Sequence, residues 1–380
     1  MSARGACVRS ASVIGKGARG EHVVAAHGLR GLASAMVVFA HIIGGPARHV
    51  YADNAAYVAL TRAPWHLATF GVMLFFVISG FVILPSALRY APGEFALRRG
   101  LRLYPLFAIL SVLFVALNAV TDAYPKINTP LAVVSGFTFT NLFTGTDQLT
   151  PNAWSLSYEV MFYALTCAVV TLAVKRRDRL TGTLAVVAAL AFVLAFPIAP
   201  YFAAGVAIRL LRWRYPDGSR ATRWVELLAF AGMTALASHA HYEYWWRDFR
   251  DPVVVPLILS TATYFYCAVA PGSWTERLLG NRVFAYLGTI SYSLYLVHPY
   301  IYLALRKLFV RHGLFTDDLL HSMLPFALLV AGGSLVASHV VHLWLERWPY
   351  ERFFRQRIYR ADRIARGDPA ADATMTAQRA

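Results

Sequence analysis

The sequence consists largely of long apolar segments, which are separated by short stretches rich in Lys, Arg, Pro or Gly. Each segment is close to the roughly 20 residues that a helix needs to cross a hydrocarbon core of about 30 Å. Hydrophobic residues make up 58% of the chain and charged residues only 15%, which is too few charges for an ordinary water-exposed surface. The sequence therefore predicts an all-α, polytopic membrane protein.

About ten transmembrane helices fit between the charged, Pro and Gly breaks. One apolar segment, 131–144, is too short to span comfortably and is interrupted by Pro130, Gly136 and Gly145. We expect this segment to be re-entrant or to lie at the membrane interface. The ten spans are expected at approximately 29–46, 66–86, 102–120, 155–174, 181–196, 199–212, 224–239, 252–270, 283–304 and 322–345.

A net charge of +16 is compatible with nucleic-acid binding, but the Lys and Arg residues lie between apolar segments and form no basic domain. Cytoplasmic loops of membrane proteins are enriched in positive charge. With both termini in the cytoplasm, 28 Lys and Arg residues fall on the inner side and 8 on the outer side, together all 36. We expect a cytoplasmic tail at 1–28, a membrane domain at 29–349 and a basic, partly disordered cytoplasmic tail at 350–380.

The three cysteines, Cys7, Cys167 and Cys267, form no CxxC pair and have no metal-ligand spacing. We therefore expect neither a disulfide nor a bound metal. The segment before Leu29 is basic but lacks the continuous apolar core and small-residue cleavage site of a signal peptide. We interpret it as a retained tail.

Polar side chains at membrane depth are costly, so each is a candidate functional residue. Arg30 lies at the cytoplasmic edge of the first predicted helix, and His41 lies about 16 Å deeper along it, near the bilayer midplane. His41 is thus a buried titratable base. A structural interpretation has equal weight: Arg30 obeys the positive-inside bias, and His41 hydrogen-bonds a neighbouring helix.

Arg98, Arg99 and Arg102 lie just before the third predicted helix. Their spacing allows Arg98 with Arg102, or Arg99 with Arg102, to share one helical face. Guanidinium pairs of this kind suit phosphate, whose oxygens they bind in bidentate fashion. On spacing alone, however, a cluster that sets topology and contacts anionic lipid headgroups is the simpler interpretation.

The segment from Trp154 to Tyr163 enters the fourth predicted helix from the outer side and places Glu159 about one turn inside. Glu159 either complements the helix dipole or, functionally, orients a histidine or binds a sugar hydroxyl. In the structural interpretation, Trp154 and Tyr163 are interfacial anchors.

The ninth predicted helix carries Ser291, Tyr295 and His298 at helical spacing, which gives one polar stripe on an apolar segment. The stripe is expected to face the bundle interior, either to hold neighbouring helices or to line a cavity.

Other polar or small residues of the chain are given structural roles. His339 and His342 lack polar company in the sequence, and Ser79 with Gly80 allows close helix approach. The aromatic and acidic loop 240–248 suits either sugar stacking or an aromatic belt.

Four of these segments together resemble the acyltransferase 3 family of integral membrane acyltransferases, which acylate O-antigen, exopolysaccharide, Nod factor and related acceptors. The resemblance extends from about Leu29 to Pro349. Any one segment is a weak signal, but four in the same order are specific. They are the Arg30 and His41 pair separated by ten residues, the FxxRRxxRxxP-like segment Phe95–Pro105, the WSLxxExxFY segment Trp154–Tyr163 and the ISYSLYLxH segment Ile290–His298.

The resemblance implies a bundle of about ten helices in the bacterial inner membrane, an acyl-CoA donor on the cytoplasmic side and a carbohydrate acceptor that is free or lipid-linked. It also makes Arg30 and His41 the expected catalytic pair, with Glu159 assisting. No permanently bound cofactor is implied. The expected CoA-binding residues are Arg98, Arg99 and Arg102, and the expected substrate-binding residues are Trp154, Ser155, Tyr163, Ser291, Tyr295 and His298.

The main alternative is a transporter or flippase for a lipid-linked glycan, because buried His, Glu and Arg residues also line proton and substrate pathways. Internal symmetry with paired broken helices would favour it, and the sequence has none that we can identify. A non-catalytic membrane scaffold ranks last, since it leaves His41 and the polar stripe without a purpose. Nucleic acid is not an expected partner.

Overall fold

The computed structural model describes residues 23–121, 124–211, 219–240 and 245–352. These residues are almost entirely helical and form no strand, which confirms the all-α prediction. Residues 1–22 and 353–380, which make up most of the two predicted tails, lie outside the described residues, whereas residues 24–28 of the predicted amino-terminal tail belong to the first helix. The helices are α1 (Val24–His49), α2 (Ala55–Thr69), α3 (Gly71–Arg89), α4 (Pro92–Thr121), α5 (Pro130–Phe137), α6 (Asn141–Thr144), α7 (Trp154–Val169), α8 (Arg179–Ala195), α9 (Ala199–Leu210), α10 (Arg220–His239), α11 (Val254–Ala268), α12 (Trp274–Leu279), α13 (Arg282–Arg311) and α14 (Leu319–Val341).

Five helical segments among the described residues are long and apolar enough to cross a membrane, which makes this a membrane protein. Two of the five continue beyond an α-helix as π-helix, at Val170–Lys175 after α7 and at His342–Arg347 after α14. Three shorter apolar helices, α8, α9 and α11, accompany them. The five segments are Val24–His49, Ala55–Arg89, Pro92–Thr121, Trp154–Lys175 and Leu319–Arg352. The predicted number of ten spans stays a prediction.

Helix boundaries differ from the predicted spans where charged residues or proline suggested a break. The predicted third span starts at residue 102, whereas α4 starts at Pro92 and includes the arginine cluster. A long arginine side chain can extend from a helix end to the interface, so charge does not end a helix there. The predicted start at 66 also missed α2, which begins at Ala55 after an Asn54 cap that accepts a hydrogen bond from the Tyr57 amide.

The segment 131–144 forms two short helices, α5 and α6. Phe139 separates them with a positive φ of 57°, a conformation that is uncommon for any residue other than glycine. Phe139 is buried and packs on Phe107 of α4, with 4.6 Å between ring centroids. Packing of this ring holds the strained backbone in place.

Glycine residues let the central helices approach closely. A Cβ atom on Gly31 of α1 would lie 2.7 Å from the Gly288 nitrogen of α13, and one on Gly288 would lie 2.4 Å from the His27 oxygen. Gly80 of α3 and Gly205 of α9 form a second such contact. The prediction that Gly80 serves close helix packing is confirmed.

Substitution of Gly80 or Gly205 by Ala is expected to destabilise the protein. A Cβ atom on Gly80 would lie 2.1 Å from the Phe202 oxygen, and one on Gly205 would lie 2.1 Å from the Val77 oxygen. Such overpacking costs about 1–3 kcal/mol. The measurement is the thermal unfolding midpoint of the purified protein in detergent.

Gly232→Ala in α10 is the matched control, because nothing lies within 4 Å of a Cβ atom there. We expect its midpoint to equal or exceed that of the unsubstituted protein, since Ala favours helix. Equal midpoints for all three variants would contradict the packing argument.

Candidate active site

The predicted polar stripe on α13 faces the interior of the bundle. Ser291 and His298 are fully buried, and Tyr295 is 5% exposed. The stripe contacts other elements along its length: Arg30 Nε donates to Ser291 Oγ at 2.9 Å, and the Tyr295 hydroxyl lies 2.8 Å from Ser155 Oγ. One face of α13 thus joins α1 and the start of α7.

His41 of α1 lies against His298 at the far end of this stripe. The ring centroids are 4.8 Å apart in an edge-on arrangement, and His41 Nδ1 lies 3.4 Å from His298 Nε2. Each Nδ1 also lies close to the carbonyl oxygen four residues earlier, that of Val37 at 2.9 Å and that of Leu294 at 2.7 Å. A carbonyl oxygen only accepts, so both Nδ1 atoms carry the hydrogen and each Nε2 carries a lone pair.

Asn152 occupies the lone pair of His298. Its side-chain Nδ2 lies 3.2 Å from His298 Nε2. Its backbone carbonyl oxygen accepts from the Tyr295 hydroxyl at 2.8 Å and from the Ser155 hydroxyl at 3.3 Å. Asn152 has a positive φ of 64°, which Asn tolerates better than most residues. Among the described residues, the Nε2 atom of His41 is therefore the one lone pair of the histidine pair left without a protein donor.

Two adjoining cavities open beside His41. Their volumes are about 290 and 640 Å³, and both have His41, Trp65, His66 and Thr69 in their walls. The smaller cavity is also lined by Trp154, Asn152 and Tyr295. Residues 241–244 apart, which the structure does not describe, the wall residues of both cavities include no Asp or Glu. A hydroxyl compound in this space could present its proton to His41 Nε2.

Glu159 lies with other residues than His41. Ser79 Oγ donates to Glu159 Oε1 at 2.6 Å, and the Tyr163 hydroxyl donates to the same oxygen. Arg30 interacts electrostatically with this carboxylate. The structure thus gives Ser79 a polar partner as well as a packing role, and it does not bring Glu159 to His41. The suggestion that Glu159 orients a histidine has no support in these contacts.

The three clustered arginines of α4 line a cavity of about 530 Å³ at the other end of the bundle. A neighbouring cavity of about 480 Å³ shares Arg99 and Arg102 with it. Arg98 forms an ion pair with Glu94 at 2.7 Å and donates to the Tyr350 hydroxyl at 3.0 Å. Arg99 lies over the Tyr163 ring at 5.4 Å. The second cavity is lined by five arginines: Arg30, Arg89, Arg99, Arg102 and Arg209.

The arginine-lined cavities and the cavities at His41 share no wall residue. Ser291, bound to Arg30, and His298 are seven residues apart on α13, or about 10 Å along the axis. Tyr295 lies between them, and its ring is 5.7 Å from that of Phe75. The Tyr295 and Phe75 rings thus pack together between Ser291 and His298.

Several contacts of the site were missed by sequence reasoning. Asn152 was overlooked although a proline precedes it and an aromatic motif follows. His342 was treated as lacking polar partners, but its Nδ1 lies 3.2 Å from Glu346, whose carboxylate also accepts from Ser293. His339 likewise lies 3.0 Å from the Tyr286 hydroxyl. Glu346 follows His342 by four residues, so helical spacing could have identified this partner. Tyr286 lies on α13, and the sequence pattern alone could not identify it as the partner of His339.

The aromatic loop 240–248 lies only partly within the described residues, because 241–244 are outside them. Trp245 and Trp246 are exposed, and the Trp245 amide donates to Asp248 at 3.1 Å. The described part of the loop contributes no residue to the cavity walls at His41 except Ala240.

Comparison with known proteins gives one match. A family model described as an acyltransferase domain matches residues 23–358, nearly the whole chain and all of the site described above. The searches of curated proteins and of solved structures found no match. The matched range contains all four segments on which the resemblance rests. This membrane protein therefore belongs to the acyltransferase 3 family.

Proposed function

We propose that the protein is an O-acyltransferase of the bacterial inner membrane. It transfers an acyl group, expected to be acetyl, from cytoplasmic acyl-CoA to a hydroxyl of a cell-surface polysaccharide or of its lipid-linked precursor. The observation that carries this proposal is the single free lone pair of the histidine pair, on His41 Nε2, beside a cavity within the helix bundle. The family match supports acyl transfer, while no observation favours the flippase alternative.

The arginine-lined cavities suit the phosphates of a CoA donor. Arg99 and Arg102 belong to both cavities, and Arg30 and Arg209 add positive charge to the second. Guanidinium groups bind phosphate oxygens through paired, charge-assisted hydrogen bonds. Arg98 is already paired with Glu94, so we assign the main donor contacts to Arg99 and Arg102. We assign Arg30 to phosphate binding as well, and not to the oxyanion that forms on the thioester during the reaction. Its side chain donates to Ser291, at the end of the site away from His41.

His41 acts in this proposal as the general base. Its Nε2 takes the proton of the acceptor hydroxyl as the hydroxyl oxygen attacks the thioester carbonyl carbon. The carbon–sulfur bond then breaks, and the departing CoA sulfur recovers the proton from His41. The hydrogen bond from Nδ1 to the Val37 carbonyl holds the required tautomer and also stabilises the protonated ring.

His298 and Asn152 are positioning residues in this scheme. His298 packs against the His41 ring, and the Asn152 side chain holds His298 in place. The backbone carbonyl of Asn152 also accepts the hydrogen bond of the Tyr295 hydroxyl. In this scheme a thioester that approaches His41 from the arginine end passes beside the Tyr295 and Phe75 rings, which lie between the two ends. Glu159 and Tyr163, which lie beside Arg99 and Arg30, are assigned to the donor side of these rings.

This scheme places the arginine-lined end in the cytoplasm, where CoA is found. The ends of α1, α3, α4 and α9 that meet there agree with the orientation expected from the Lys and Arg distribution. The acceptor then binds at the His41 end, on the outer side of the Tyr295 and Phe75 rings.

Replacement of His41 by Ala is expected to lower acyl transfer by a factor of about 100 to 10,000, the usual contribution of a general base. The measurement is release of free CoA from acetyl-CoA by membranes that contain equal amounts of inserted protein. His339→Ala is the matched control, since His339 is exposed and contacts Tyr286 outside the His41 cavities. Full turnover by the His41→Ala variant would exclude the base role.

Replacement of Arg99 or Arg102 by Gln is expected to raise the KM for acetyl-CoA about tenfold, the effect of losing about 1.4 kcal/mol of binding. The KM for acetyl-pantetheine, which has no phosphate, is expected to stay unchanged. Arg282→Gln serves as the control, because Arg282 lies at the start of α13 without lining either arginine cavity. Equal increases in KM with both donors would refute phosphate recognition.

Two substitutions at Asn152 separate its backbone role from its side-chain role. Asn152→Gly keeps the positive φ without strain, whereas Asn152→Ala is strained by about 1–2 kcal/mol. Both remove the amide at His298, so kcat is expected to fall in both variants with little change in the KM for acetyl-CoA. Because both lose the hydrogen bond to the buried His298, both thermal midpoints are expected to fall, and that of Asn152→Ala is expected to be the lower. An Asn152→Gly variant with full kcat would remove Asn152 from the catalytic arrangement.

A further inference from the structure

The larger cavity at His41 has a second group of positive charges around it. Arg48 and His49 at the end of α1 and Arg62 of α2 line this cavity of about 640 Å³. Arg306 of α13 lies over the ring of Tyr302, which is also in the wall, at 5.5 Å from its centroid. These residues lie at the end of the bundle opposite the arginines assigned to CoA.

Among the described residues, no acidic side chain lines this cavity to balance the charge. Within the part of the chain that the structure describes, no ion pair involves Arg48, Arg62 or Arg306. Arg48 and Arg306 both interact electrostatically with His49, so these two guanidinium charges lie near the same side chain and repel each other. An anionic ligand would relieve this repulsion.

Membrane topology does not account for these cations. In the orientation proposed above, they lie on the outer side, where Lys and Arg are normally scarce. That side holds only 8 of the 36 Lys and Arg residues, and Arg48, Arg62 and Arg306 are three of the 8. Their position at one cavity calls for a functional reason.

Aromatic side chains complete the wall. A Cβ atom on Gly44 would lie 2.0 Å from Trp65 Cδ1, and one on Gly45 would lie 1.9 Å from the Tyr302 hydroxyl. The two glycines therefore allow both rings to close against α1. Flat aromatic faces beside polar groups are suited to a ligand with both apolar and hydrogen-bonding surfaces, as a sugar ring has. His41 lies in the same wall, so such a ligand would contact the general base.

We propose that this cavity is the acceptor site and that the acceptor is an anionic saccharide, which carries either a carboxylate on a sugar or the phosphate of a lipid carrier. The inference rests on the proposed function, since it takes His41 as the base. Arg48, Arg62 and Arg306 hold the negative group, while Trp65 packs on the sugar. Arginine suits both sources of charge, because it binds carboxylate and phosphate oxygens alike.

The charge of the product tests the inference directly. Membranes of cells that make the protein are incubated with acetyl-CoA labelled in the acetyl group, and the labelled product is separated on an anion exchanger. We expect the product to be retained. Mild acid, which cleaves a sugar from a lipid phosphate but leaves a carboxylate and an O-acetyl ester intact, then identifies the source. Retention after acid indicates a sugar carboxylate, and loss of retention indicates the lipid phosphate.

Two failures of this experiment have different meanings. A labelled saccharide that passes the anion exchanger unretained would overturn the anionic acceptor while leaving the acyltransferase proposal intact. Absence of any label dependent on His41 would overturn the proposed function, and the inference with it.

Substitutions provide a second test that needs no knowledge of the acceptor. The double variant Arg48→Gln, Arg62→Gln is expected to have a kcat/KM for the membrane acceptor at least tenfold lower than that of the unsubstituted protein. Its kcat/KM is also expected to fall less as salt is added, because the charge contacts that salt screens have been removed. The KM for acetyl-CoA should stay unchanged, which shows that the donor side is folded. Arg311→Gln is the control, since it lies at the same end of α13 without lining the cavity. Equal kcat/KM in both variants would overturn the inference.

Discussion

The close packing of α1 on α13 is the interaction on which the site depends. Gly31 and Gly288 allow the two backbones to approach until a Cβ atom would not fit between them. At this separation Arg30 reaches Ser291 at one end of the contact, and His41 reaches His298 at the other. Both pairs of residues come from the same two helices, so the spacing between the donor end and the histidine end is fixed by helix geometry and not by loops.

Burial of polar groups in an apolar bundle imposes the second constraint. Inside lipid a polar atom without a partner is costly, so each polar side chain of the stripe is held by another. Asn152 meets most of this demand at the histidine end, because its amide reaches His298 and its carbonyl accepts from Tyr295. Once these contacts are made, His41 Nε2 is the lone pair that stays available to a substrate.

Much of this arrangement can be predicted from the sequence, because helix periodicity and membrane depth depend only on positions along the chain. They predicted the all-helical fold, the inward-facing stripe of Ser291, Tyr295 and His298, and a close contact at Gly80. The pairing of His41 with His298 was not predictable, since it depends on which helices are neighbours. For the same reason the sequence left open whether Glu159 reaches His41, and the lateral position of α7 brings Glu159 to Ser79 of α3 instead.

The separation of the two ends of the site has a physical reason in a membrane. An open passage lined by arginines and histidines would let water and ions through the bilayer, which a cell cannot tolerate. The Tyr295 ring, held by Ser155 and Asn152 and packed near Phe75, lies between Ser291 and His298 on the buried face of α13. Under the proposed function, the thioester arm passes these side chains while the phosphates stay with the arginines. Donor and acceptor would then meet from opposite ends of the bundle without a permanent pore.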